Sequence, residues 1–155
     1  MSKENGMPGQ YLVAERRGQA WALPLADVRG GLPRTGLEPV PRGEPGWLGV
    51  LAVRGEIVVA LSIDPWLDVI DSVAGPEPEA LVLFRVQGTT VALAFDRLRG
   101  VVTLDQDALK PHPATVERPW LSAVFSDERY ARLEVVDGAA LGAALVGQVI
   151  EEAIA

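Results

Sequence analysis

Residues 48–63 read LGVLAVRGEIVVALSI. Two short apolar runs, 48–53 and 56–63, are rich in Val and Leu and flank the dipeptide Arg54-Gly55. Runs of that length and composition read as strands. A two-residue connector ending in glycine supplies the positive φ that a tight hairpin demands. The pattern repeats on both sides. Segments 11–15 and 19–25 flank Arg17-Gly18, and 80–86 and 89–95 flank Gln87-Gly88. Weaker strand candidates lie at 101–104, 121–125 and 130–135, the last two joined across Ser126-Asp127-Glu128. Many short strands with frequent turn signals imply an all-β barrel or sandwich.

Between the strands the chain is punctuated. Residues 29–46, RGGLPRTGLEPVPRGEPG, hold five Gly and four Pro, a composition that excludes helix and interior strand and reads as a long functional loop. Asp64-Pro65 suits the N-cap and first position of a short helical turn, DPWLDVID. GPEPE at 75–79 reads as a rigid seam between two half-domains. From about residue 137, Leu141, Leu145 and Val149 recur every four residues, with Val146 and Ile150 beside them. That spacing predicts an amphipathic helix of about three to four turns, placed to cover a barrel end or bridge the halves.

Composition bounds the chemistry. With 48% hydrophobic residues the 155-residue chain can build a core, and no apolar run reaches the roughly 18 residues of a membrane span. The N-terminus, MSKENGMPGQ, has no secretory apolar segment, so a cytoplasmic protein with no direct membrane insertion is expected. Residues 1–9 are expected to be a flexible N-terminus and 10–155 a single domain, with no room for an appended receiver domain. Absent cysteine removes disulfides and thiolate sites, and a net charge of −7 argues against nucleic acid as a partner. Twelve of the fourteen basic residues are arginine, and with abundant Ala, Gly and Pro that reads as coding bias except where an arginine sits unusually.

No coherent active site emerges, so no enzyme is expected, and neither a metal nor another cofactor. His112, the single histidine, lies between two prolines and reads as an exposed loop residue. Phosphate loops, dinucleotide fingerprints and nucleophile elbows are absent. Glu151-Glu152 reads as a solvent-facing pair, and Asp68 and Asp71 as surface and capping residues.

Gly46–Val59 resembles the signature of CheW-like domains, roughly a G-V-x-N-L-R-G hairpin followed by a hydrophobic-V-P strand ending in Asp. Gly49, Val50, Arg54 and Gly55 match, and Val53 stands at the Leu. A second block, 88–102, resembles the family's V-D-containing strand pair, and Leu109-Lys110-Pro111 its I-x-P segment. The similarity spans about residues 10–147. Departures occur at Ala52 for Asn, Val59 for Pro, Ser62 for Asp, and Gly30 for an upstream polar residue.

The resemblance implies two intertwined SH3-like five-stranded barrels around a shared seam, closed by a C-terminal helix. It implies a scaffold that couples chemoreceptors to a CheA-type histidine kinase. A groove between the barrels would receive the receptor's cytoplasmic hairpin tip, lined by Leu25, Val28, Arg54, Leu98 and Val101. The kinase's regulatory domain would meet Val50 and an unpaired strand edge at Glu56, Ile57 and Val58. Other CheW-like domains are implied as partners in array rings.

Other readings stand beside these. Val28, Leu98 and Val101 read equally as core residues. Arg54 is not what a tight turn selects, since Asn or Asp suits it better, which points to a role beyond the turn. Gly49 and Gly55 read as backbone-conformation glycines. Trp21, Trp66 and Trp120 read as packing residues, and Trp47, ending the long loop, as partly exposed. A divergent paralogue with altered or lost kinase binding is an alternative, and a small β-barrel enzyme or ligand carrier a remote one.

Overall fold

The computed structural model describes residues 9–34, 36–38, 46–67 and 77–146. The strands are β1 (Gln10–Arg16), β2 (Gln19–Pro24), β3 (Val28–Pro33), β4 (Trp47–Val53), β5 (Glu56–Ser62) and β6 (Ala80–Val86). They continue as β7 (Thr89–Phe95), β8 (Arg97–Thr103), β9 (Lys110–Pro111), β10 (Leu121–Phe125) and β11 (Leu133–Val136), before one helix, α1 (Gly138–Leu145). A six-stranded sheet runs β8-β1-β2-β11-β10-β9, and a five-stranded sheet runs β3-β6-β7-β5-β4. The chain begins in the first sheet, leaves it to build the whole second sheet, and returns at β8. That path intertwines the halves. The expected five strands hold for the second sheet; the first gains a sixth, the two-residue β9.

Alternation along each strand explains the long apolar runs. In β7, Val91, Leu93 and Phe95 face one cluster while Ala92 and Ala94 face another. In β1, Leu12 and Ala14 face the same shared cluster, and Tyr11 and Val13 fill the first sheet's own core. The molecule therefore has three cores, one inside each sheet and one between them. A strand buried on both faces needs apolar side chains at every position. At the seam Trp21 meets Phe95 edge-on, with centroids 6.3 Å apart and planes at 67°. Leu141 and Leu145 of α1 also enter the seam, so the helix bridges the halves as expected.

The three two-residue hairpins share one geometry. Arg17-Gly18, Arg54-Gly55 and Gln87-Gly88 have φ of 52 and 79°, 49 and 83°, and 48 and 84°. Two successive left-handed residues match the twist of the flanking strands.

Several expectations are corrected. Arg29–Pro33 is strand, not loop; β3 lies at a sheet edge, where Gly and Pro are tolerated. Asp64 is not an N-cap: the short 3-10 turn Asp64–Trp66 is preceded by Ile63, and Asp64 instead turns its carboxylate to an arginine. His112 is buried, at 3% exposure. Its Nδ1 accepts from the Ala114 N–H at 2.9 Å, so Nε2 carries the proton and donates to Glu134 Oε1 at 3.3 Å. Gly9, assigned to the free N-terminus, is tied in, since its carbonyl accepts from Leu104 N–H at 2.7 Å. The described helix covers two turns. Residues 1–8, Asp68, Asp71, the start of the 75–79 connector, Val149, Ile150 and Glu151-Glu152 lie outside the described residues.

Candidate binding surface

β8 is an edge strand of the first sheet and β3 of the second, and they approach each other at Leu98 and Gly31. Leu98 of β8 lies over Gly31 of β3 so closely that a Cβ there would stand 2.7 Å from Leu98 Cδ1. The absence of a side chain at Gly31 lets the barrels approach. Leu25, Val28 and Leu98 are half-buried and pack on the seam cluster. Val101, four strand positions from Arg97 and paired with Leu12, is 53% exposed. Leu25, Val28 and Leu98 thus support the core from its margin, whereas Val101 faces outward.

Arg54 is not among the seam residues. It is exposed at its hairpin turn and lines a cavity of about 260 Å³ with Arg29, the neighbour of Val28. Sequence reasoning missed Arg29 because it fell within a stretch assigned to loop. The signal was present as an arginine one residue beyond Val28.

The expected kinase edge is only partly an edge. β5 lies inside its sheet between β4 and β7, and the outer strand is β4. The ladder to β7 covers only Ala60–Ser62, so residues 56–59 pair with β4 alone. Ile57 is 72% exposed and Glu56 is exposed, whereas Val58, at 3%, is buried in the second sheet's core and offers no contact. Strand alternation dictates that outcome: neighbours on one strand cannot share a face. Val50 is half-buried, and its main-chain N–H and C=O are already taken by Glu38 at 2.9 and 2.8 Å.

Where the chain steps from β7 to β8, a partly buried ionic junction ties the halves. Arg16 Nε and Nη2 donate to Asp64 Oδ1 and Oδ2 at 2.9 and 3.0 Å, and Nη1 donates to Asp96 Oδ1 at 2.7 Å. The Arg17 N–H donates to Asp96 Oδ2, and the Asp96 N–H to the Glu15 carbonyl. Hydrogen bonds from Arg16 hold the Asp64 carboxyl below the usual range against the opposing effect of burial. Ser62 Oγ accepts the Asp64 N–H at 3.1 Å, so a hydroxyl here closes the local turn at the position where Asp was expected. Among the described residues no group of three or more His, Cys, Asp or Glu could hold a metal ion, and no helix is long and apolar enough to cross a membrane.

Among curated proteins none matches this sequence. Among solved structures, the fold is similar to that of the scaffolding protein TtCheW from Thermoanaerobacter tengcongensis, with a TM-score of 0.71 and 13% identity over 86% of this chain and 91% of that one. The family model of the CheW-like domain matches residues 10–144, which takes in both sheets and most of α1. The chain belongs to the CheW-like domain family.

Proposed function

We propose that this chain is a non-enzymatic cytoplasmic adaptor that couples chemoreceptors to a CheA-type histidine kinase in chemosensory signalling. The observation that carries this proposal is the family match across residues 10–144, with Leu25, Val28 and Leu98 half-buried at the margin of one seam cluster. A receptor's helical hairpin tip would lie along Leu25, Val28, Leu98 and Val101, as an amphipathic helix lies in a groove, with Arg54 donating to its oxygens. The kinase's regulatory domain would meet exposed Glu56 and Ile57 beside Val50, with Val58 supporting that strand from inside. Further CheW-like domains could extend the complex into rings through the same kind of β contact.

A pull-down of the full chain with a receptor signalling fragment and the regulatory domain of a kinase from the same genome tests this. Capture of both at micromolar concentration is expected. Capture of the receptor fragment alone would favour a divergent paralogue that has lost kinase binding, a second reading motivated by Val59 and Ser62 on β5. Capture of neither would refute adaptor function for these partners.

A further inference from the structure

The chain's single histidine sits, buried, at the head of a loop that links the first sheet to the seam. That loop, residues 112–120, leaves β9 at His112 and re-enters the sheet at Leu121. It is pinned at both ends. At its start the His112 N–H donates to the Ser122 carbonyl, and the Thr115 N–H to the His112 carbonyl, both at 3.2 Å. At its end Trp120 packs on the seam cluster and donates from Nε1 to the Trp66 carbonyl at 3.3 Å. The Trp120 carbonyl accepts from the N–H of Asp137, the N-cap of α1, at 2.9 Å. Val116, between these anchors, is 87% exposed.

Within the loop the imidazole takes the part of a main-chain acceptor. Its Nδ1 accepts the Ala114 N–H at 2.9 Å, and the Ala114 carbonyl in turn accepts the Arg118 N–H at 2.8 Å. The first turn therefore hangs on one unprotonated ring nitrogen. On the opposite side of the ring, Nε2 donates to Glu134 Oε1 at 3.3 Å. Arg132 Nη2 lies 3.4 Å from that nitrogen, while Arg132 Nε donates to Glu134 Oε2 at 2.9 Å. The ring thus faces one carboxylate and one guanidinium. β2 and β10 carry no titratable side chain, and β11 carries only Glu134. On the histidine's own segment Lys110 and Glu117 are exposed and Arg118 is half-buried.

Neutral imidazole can accept at Nδ1; imidazolium cannot, because both of its nitrogens donate. With Nε2 already protonated, a second proton has only Nδ1 to occupy, and there it meets the Ala114 N–H. Two donors facing each other in a buried site must part. We infer that His112 is a proton-operated latch on the 112–120 loop. Uncharged, it closes the first turn; protonated, it releases the Ala114 N–H while Nε2 keeps its bond to Glu134. The latch is closed above the range in which histidine titrates, about pH 6.5, and opens as pH falls through it. What opens is the turn leading to Val116 and not the sheet, since the Trp120 anchors involve no atom of His112. The latch rests on this geometry alone and is independent of the adaptor function.

NMR of the isotopically labelled full chain, from about pH 8 to about pH 5, tests it. Ring nitrogen shifts report which nitrogen carries a proton, and amide-exchange protection reports the Ala114 bond. At the upper end Nδ1 should be bare and the Ala114 amide protected. As Nδ1 gains its proton, Ala114 protection should fall about tenfold, the loss of one hydrogen bond, while amides paired within β10 and β11 keep theirs. His112→Asn sets an acceptor oxygen where Nδ1 stands, two bonds from Cβ, but takes up no proton in this range. In that variant Ala114 protection should no longer depend on pH. A ring that keeps a single proton until the whole chain unfolds overturns the latch. So does a ring that gains its second proton while Ala114 stays protected, or an Asn variant that loses protection over the same range. Should the variant fail to fold, the titration of the unmodified chain decides by itself.

Discussion

Arg16 is 5% exposed yet fully charged, and its guanidinium is satisfied by two carboxylates from different parts of the chain. Removing the guanidinium leaves the Asp64 and Asp96 carboxylates, 32% and 30% exposed, without that donor, so Arg16→Met is expected to lower stability by about 2 kcal/mol, read as a fall in the urea midpoint. A change below about 1 kcal/mol would show that the junction is dispensable. Arg54 presents the opposite case. Asn suits a left-handed turn position better than arginine, so Arg54→Asn should keep or raise the melting temperature while weakening capture of the receptor fragment. A large loss of stability would make Arg54 structural. The oddity of an arginine in that turn was visible in the sequence. The isolation of Arg54 beside Arg29 was not, because the two lie 25 positions apart and meet only across the barrel mouth.

At the scale of elements, the β3–β4 connection depends on Gly49. Its φ of 147° is a glycine conformation, and a Cβ there would stand 2.6 Å from the Glu38 carbonyl oxygen that accepts the Val50 N–H. Gly49→Ala is expected to cost roughly 2 kcal/mol through strain and the displaced bridge. Thermal unfolding of the variant checks this, and an unchanged midpoint would contradict the close approach. The start of α1 carries a different tension. Asp137 caps the helix by accepting from the Ala140 N–H, and Asp27 packs against Gly138 beside it. Burial, then the nearby charge of Asp137, push the Asp27 carboxyl up, partly countered by Arg85. A raised folded-state value means that ionising Asp27 costs stability, so Asp27→Asn should raise the midpoint at neutral pH and have little effect in acid. A lowered midpoint at neutral pH would indicate that the carboxylate is needed. Strand positions were legible from short Val- and Leu-rich runs and hairpin glycines. β3 was not, because an edge strand tolerates the Gly and Pro that mark loops.

For the whole molecule, the shared seam predicts one cooperative unit. Phe84, Phe95, Trp21 and Leu141 come from both sheets and the helix and pack in one cluster. Leu141→Ala should therefore lower a single unfolding transition, at a cost of about 3 kcal/mol, without splitting it. Two calorimetric transitions would show that the barrels unfold separately. The ionic links set the acid limit. Asp64 is lowered by Arg16, and for Glu15 burial pushes upward but is outweighed by Arg97 and Arg99. With folded values below the unfolded ones, the unfolded chain takes up protons first as pH falls. This stability is thus present above about pH 4 and is lost as pH drops through the lowered folded values. Urea midpoints measured from about pH 6 to about pH 2.5 should decline, and Asp64→Asn should flatten the decline. An unchanged slope in that variant would assign the acid sensitivity to other carboxylates.

By itself, the sequence determined the all-β class, the three glycine hairpins, the closing helix and, through two spaced blocks, the family. Those features are local: turn conformation, strand period and short motifs are written in consecutive residues. Only the tertiary structure decided which apolar positions serve the seam and which stay exposed, that Val58 faces inward while Ile57 faces out, and that His112 is buried against Glu134. It also decided that Asp64 serves Arg16 rather than a helix end, and that Arg29 joins Arg54. These pairings join residues from 22 to 48 positions apart in sequence, and in this fold they are set by how two intertwined sheets close against each other.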